Sequence, residues 1–199
     1  MNGPRPRIIS LLSSATEVLF ALDLQEHLVG TSHECDYPPE ALVKPRVTRS
    51  HVDSARSSSQ IDEAVRSQLE TRQSLYSLDR DKIRELAPDL IITQAQCEVC
   101  AVHYDDVVSL VADDPVFSET DILALQPNGW DDVFRDMLAV GTAVGREREA
   151  ARLVQSYQQR IDCIAGTLQD TRDSLTRIVC IEWIEPLMVA GNWVPDLVK

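Results

Sequence analysis

An α/β fold with a mostly parallel sheet is predicted by two features of the sequence. Short, continuous apolar runs alternate with longer stretches whose apolar residues recur at three- and four-residue steps, and Asp, Ser and Pro mark the boundaries. Composition agrees: of 199 residues, 44% are hydrophobic and 26% charged, as in ordinary globular chains. The balance of 19 Lys+Arg against 32 Asp+Glu gives a net charge of −13. That excludes a generic nucleic-acid binder, which needs a basic surface, and disfavours anionic membranes. No apolar run approaches the ~18 residues of a membrane helix.

The elements follow in order. Arg7–Leu12 reads as a buried strand, and Ser14 with Glu17 three residues on reads as a capping box opening a helix with Val18, Leu19 and Leu22 inward. Leu28–Thr31 is a second strand. His33–Pro39 is a loop because Pro38 and Pro39 lack backbone donors; Tyr37 within it reads as a packing anchor. A helix opens at Ser57–Ser59 and carries Ile61, Val65 and Leu69. Leu75–Leu78 is a short strand, and Asp79 caps a helix that ends before Pro88. Asp89–Thr93 is a fully buried strand. A helix is expected over Cys97–Ala112, a strand over Ile122–Leu125, and a helix after Asn128-Gly129.

From Gly145 the composition changes. Arg146–Arg172 is charged, with apolar residues from Ala150 to Leu168 on one stripe. At 1.5 Å per residue, about 27 residues span ~40 Å, longer than a small domain is wide. A new strand, Arg177–Glu182, follows, and a helix starts near Trp193. The division is therefore a Rossmann-like lobe over 1–145, a long helix over 146–173 that bridges two bodies, and the beginning of a second α/β lobe over 174–199.

A parallel sheet takes ligands in the crevice beyond the carboxyl ends of its strands. Those ends hold Ser13, Ser14, His33, Glu34, Cys35, Gln94, Gln96 and Trp183. The runs Arg7–Leu22, Leu28–Ala41, Leu86–Thr93 and Gly141–Arg146 together resemble the helical-backbone metal-receptor binding proteins. The likeness is nearest to the cobalamin-binding substrate-binding proteins of ABC uptake systems, the class III periplasmic-binding fold. It covers nearly the whole chain, and Ile178–Gly191 resembles the start of that family's second lobe. The resemblance implies two lobes joined by one long helix, a corrinoid or metal-chelate ligand in the cleft, an ABC permease as partner and no bond chemistry. Where cobalamin binders of the family carry aromatic platforms, this sequence has His33 and Glu34, a stretch near Arg49–His51, and Gln94. His33-Glu34-Cys35 and Cys97-x-x-Cys100-x-x-His103 are closer to a signal-less subfamily of cobalamin-binding proteins.

The residues carry their own chemistry. Cys97 and Cys100, at an expected helix start, are spaced to chelate one metal or to pair. With Cys35 and either His33 or His103 they would make a tetrahedral Cys₃His set. The alternative is that Cys100 packs as a small apolar residue. His33 could coordinate cobalt or iron from one face, or bond backbone in its loop. Gln94 and Gln96 suit amide or carboxylate edges of a ligand. Glu182 and Trp183 end the second-lobe strand, where the indole would stack on a planar ligand; Trp193 reads as core, and Cys163 and Cys180 as structural.

Motifs for serine hydrolases, zinc peptidases, P-loop enzymes and dinucleotide binding are not found. The pairs Asp105-Asp106, Asp113-Asp114 and Asp131-Asp132 read as helix-dipole complements or solvated surface. Five cysteines suit a reducing compartment. The N-terminal apolar run is too short for a signal sequence, so cytoplasmic residence is expected. Exposed second-lobe strands favour a homodimer. The rival reading is a cytosolic thiol protein that handles metal or redox through Cys97, Cys100 and Cys35.

Overall fold

The computed structural model describes residues 6–70, 74–97, 99–168 and 177–198. Strand β1 (Ile8–Ser10) leads into α1 (Ser13–Ala21) and β2 (Leu28–Thr31). A hairpin-like pair, β3 (Thr48–Ser50) and β4 (Tyr76–Leu78), flanks α2 (Ser58–Glu70) in sequence. Then come α3 (Arg80–Leu86), β5 (Leu90–Gln94), α4 (Tyr104–Asp113) and β6 (Asp121–Leu125). The remainder is α5 (Trp130–Ala143), α6 (Glu147–Leu168), β7 (Ile181–Trp183), β8 (Met188–Val189) and α7 (Val194–Leu197).

The main sheet has the order β2-β1-β5-β6, and every neighbouring pair is parallel. Its central strands are buried on both faces, which is why β1 and β5 read as continuous apolar runs. One core cluster joins Ile9, Leu11, Val47, Ile83, Ile91, Val102, Val107, Leu110 and Phe117. Gly30 is needed in β2 because a Cβ there would press on Leu86 and Val47. β3 and β4 form a separate antiparallel pair, held to the sheet through the bridge between Thr31 and Arg46 and the Val47 N–H donating to the Thr31 carbonyl at 2.9 Å.

Several local expectations hold. Asp79 caps α3 by accepting from the Lys82 N–H at 3.1 Å. Asp131 and Asp132 lie in the first turn of α5, and Asp132 does more than the expected dipole complement, accepting from the backbone N–H groups of Asn128 and Gly129. Asp105 and Asp106 lie in the first turn of α4, as dipole complements should.

Others are corrected. Ser14 is not the N-cap of α1: Leu12 is, without a side-chain bond. The nearby hydroxyls go elsewhere, Ser10 donating to the Leu12 carbonyl and Ser13 to the Glu34 carbonyl. Tyr37 is 61% exposed, not a packing anchor. The helix expected from Cys97 starts at Tyr104, and the residues around Cys100 form turns. Gln94 takes the Cys97 backbone into its own side chain, which ties this stretch to the strand end. The strand expected over Arg177–Glu182 is only Ile181–Trp183.

The chain separates into two compact units, Met1–Gln126 and Pro127–Lys199. In the second, α5 and α6 meet where Gly141 faces Ala150; a Cβ on Gly141 would overlap that of Ala150. Gly145, at φ 67°, makes the left-handed turn between the two helices that favours glycine. The 22 residues of α6 span ~33 Å; the predicted continuation to 173 lies outside the described residues. β7 and β8 pair antiparallel, with Ile181 and Val189 exposed. No described helix is long and apolar enough to cross a membrane.

Candidate ligand-binding site

The carboxyl ends of β1 and β2 feed two loops that surround a hollow of about 200 Å³. Leu11 to Ser14, Ser32 to Glu34, Tyr76 and Cys100 to Val102 line it. It is smaller than the ~300–1,000 Å³ of sites that enclose drug-sized ligands. Its size suits one edge or one axial group of a larger molecule.

The loop carrying His33 is held from below by a residue that the pattern of the sequence does not reveal. The Arg46 Nη1 lies 2.8 Å from Thr31 Oγ1, 2.7 Å from the Ser32 carbonyl and 2.7 Å from the Cys35 carbonyl. A guanidinium donates several hydrogen bonds in a fixed geometry, and here they brace both sides of His33. The position of Arg46 beside Pro45 offers no periodic or motif signal.

Thr48 sets the His33 ring. Its hydroxyl donates to Ser32 Oγ at 3.1 Å and accepts from the His33 backbone N–H at 2.9 Å. The hydroxyl has one proton to give, and Ser32 takes it. The same oxygen stands 2.7 Å from His33 Nδ1, so Thr48 holds both the backbone and the ring of His33. Nε2 is shielded from solvent without a hydrogen bond; the Glu34 carboxylate stands 3.1 Å away on a side chain 64% exposed. The ring also packs on Tyr76, centroid to centroid 5.5 Å.

Tyr76 is a third residue, after Arg46 and Thr48, that sequence reasoning missed, since it read only as part of a short strand. Burial pushes its phenol above the ordinary value, and the charges of Glu34, Cys100 and Cys97 push the same way. A neutral phenol beside His33 is a hydrogen-bond donor at neutral pH.

The thiols and amides are distributed differently from the expectation. Cys35 is fully buried, behind the loop, where it accepts from Thr16 Oγ1 at 3.2 Å. Burial raises its pKa, and the Thr16 hydroxyl, the Ser32 backbone and Arg46 partly offset that. Gln94 is also buried, with its carboxamide committed to the chain. Its Oε1 accepts from the N–H groups of Gln96 and Cys97, and its Nε2 donates to the Cys97 carbonyl. Gln94 thus shapes the loop that carries Gln96 and Cys97, both half-buried. Cys97 and Cys100 bring their sulfurs within 2.6 Å. His103 Nε2 is buried without a hydrogen bond.

Among the described residues no group of three or more His, Cys, Asp or Glu could hold a metal ion. The Cys₃His convergence of Cys35, Cys97, Cys100 and His103 is therefore not formed, because the Cys35 thiol is turned into the core. In the second unit, Glu182 is exposed and Trp183 half-buried, its indole N–H donating to the Glu185 carbonyl at 3.0 Å.

A four-stranded parallel sheet, helices on its faces and loops at its carboxyl edge are the architecture of a class III periplasmic-binding lobe. The family model described as periplasmic binding protein matches residues 8–195, and the chain belongs to that family. A stretch of 44 residues is 50% identical to the vitamin B12-binding protein of Vibrio cholerae serotype O1, covering 22% of this chain and 16% of that protein. The crystal structure of the periplasmic vitamin B12 binding protein BtuF of Vibrio cholerae aligns with a TM-score of 0.65 at 22% identity, over 98% of this chain and 64% of that one. A periplasmic heme binding protein from Pseudomonas aeruginosa aligns with a TM-score of 0.67 at 17% identity, over 96% and 59%. The periplasmic heme binding protein HutB of Vibrio cholerae gives 0.64 at 19%, over 98% and 64%. The chain thus spans less than two thirds of the length of these solved relatives.

Proposed function

We propose that the chain is a substrate-binding module for a cobalamin-type or metal-chelate ligand, working with an ABC permease and performing no bond chemistry itself. One observation carries the reading: His33 stands in the wall of a hollow at the carboxyl edge of a parallel sheet, with Nδ1 tied to Thr48. With Thr48 accepting from Nδ1, the neutral ring would offer its Nε2 lone pair to cobalt or iron once Glu34 has moved aside. Its small hollow would receive the axial side of the metal centre rather than the whole macrocycle.

In this reading His33 coordinates. Glu34 guards Nε2 from an exposed position and swings away when a metal approaches. Gln94 holds the loop, while Gln96, Cys97 and Cys100 supply polar contacts at the rim. Cys35 serves from behind as a packing group for the His33 loop. Glu182 and Trp183 remain proposed ligand-binding residues of the second unit, the indole offering a stacking surface. The fully buried Cys35 thiol suits a reducing compartment. The exposed apolar residues of β7 and β8 favour self-association.

Absorbance titration of the purified chain with aquocobalamin, and separately with hemin, tests the proposal. Saturable shifts of the corrin or Soret bands at one equivalent, lost in His33→Ala, support it and decide between the two chelates. Spectra that stay the sum of the components for both probes overturn it.

A further inference from the structure

The Cys97–Cys100 pair has chemistry that ligand binding does not use. Its sulfurs lie 2.6 Å apart. Two thiolates that share one tetrahedral metal at ~2.3 Å each stand about 3.8 Å apart, while a covalent disulfide measures about 2.05 Å. A metal would have to force this pair open by more than about 1 Å, whereas bond formation asks for about half an ångström of closure. No third His, Cys, Asp or Glu among the described residues joins the pair to make a metal site.

The backbone is arranged for the same end. The buried Gln94 side chain anchors both the N–H and the carbonyl of Cys97, and the Val99 N–H donates to the Cys97 sulfur at 3.4 Å. Cys97 is therefore fixed, and Cys100 is exposed on the turn that follows. The other cysteines are placed differently: Cys35 is buried in the core, Cys163 is exposed on α6, and Cys180 is half-buried beside β7.

We propose that Cys97 and Cys100 form a thiol–disulfide exchange site that closes reversibly on reaction with a low-molecular-weight disulfide. The exposed Cys100 thiolate attacks one sulfur of the reagent, forming a mixed disulfide and releasing one thiolate. Cys97, as thiolate, then attacks the Cys100 sulfur and expels the second thiolate. The protein pair loses two electrons and two protons, and the reagent takes both as two thiols. Cys100 also lines the hollow beside Tyr76 and His33, so the exchange site and the proposed ligand wall share a side chain.

The experiment uses the full unliganded chain, so a failure of cobalamin or hemin binding leaves its outcome readable. The chain is equilibrated with oxidised glutathione, acid-quenched, alkylated and analysed by intact and peptide mass spectrometry. The expected result is a form lighter by two hydrogens, with a Cys97–Cys100 cross-linked peptide that dithiothreitol reverses. In Cys97→Ser, Cys100 keeps a stable glutathione adduct because ring closure is gone. The proposal is overturned if both thiols remain alkylatable or carry separate adducts without a cross-link. Stoichiometric zinc retained by the wild type and lost in Cys97→Ser would overturn it as well.

Discussion

The Thr48 hydroxyl stands 2.7 Å from Nδ1 of His33 and 3.1 Å from Ser32 Oγ, and so ties the ring to the loop that carries it. Thr48→Val removes the hydroxyl while keeping the shape. The ring loses its anchor, and loss of such a supporting partner lowers metal affinity by about 10- to 100-fold. Titration with aquocobalamin or hemin, whichever binds, should show that loss, with Thr48→Ser close to wild type. Equal affinity for Thr48→Val and wild type would remove Thr48 from the site.

Arg46 braces the same loop with three short contacts to Thr31, Ser32 and Cys35. Replacing it by Met keeps the aliphatic stem and deletes the donors. Hydrogen bonds from a charged group contribute about 1.5–3 kcal/mol, and Arg46→Met should destabilise the fold by about that much in urea unfolding. A loss within experimental error would mean that water replaces the guanidinium without cost.

Thr93, in the middle of the sheet, is fully buried, and its hydroxyl has no hydrogen-bond partner. A buried polar group without a partner costs about 1–3 kcal/mol. Thr93→Val, nearly isosteric and without the hydroxyl, should therefore raise stability by about 1 kcal/mol. A clear drop in the denaturation midpoint would show that the hydroxyl is bonded in solution.

Cys35 makes the fold sensitive to alkali. Burial pushes its thiol above the ordinary value of 9.0, so the folded chain holds that proton more tightly than the unfolded chain. The sign follows from linkage: the group costs nothing below pH 9.0, and stability falls as pH rises from there through the folded value. Tyr76 adds a loss of the same sign starting higher, from 10.0. Urea unfolding of Cys35→Ala at several points between about pH 8 and 11 should show a shallower alkaline decline than wild type. Parallel curves would place the sensitivity elsewhere.

The backbone plan was legible because each of its parts depends on local pattern. Ile8–Ser10 and Leu90–Gln94 are continuous apolar runs because their strands are covered on both faces, and Asp79 and the pair Asn128-Gly129 mark helix starts by residue type alone. The order and spacing of these elements were also enough to suggest the family. His33 and Glu34, which line the hollow, are legible as candidates because they follow a strand end, where an α/β sheet opens to ligands.

The inner workings of the site depended on contacts between residues far apart in the chain. Thr48 and Arg46 act on His33 and Cys35 across the bridge between Thr31 and Arg46, a pairing with no sequence periodicity. Cys35 looks like Cys97 in a list of thiols, but one is fully buried behind β1 and the other is half-exposed. Gln94 has the residue type of a ligand contact, but its amide is folded back on the Cys97 backbone. Hydrophobic spacing reports which face of an element is buried. It carries no record of which polar atom meets which, because hydrogen bonds depend on distances and directions that exist only after the loops have closed.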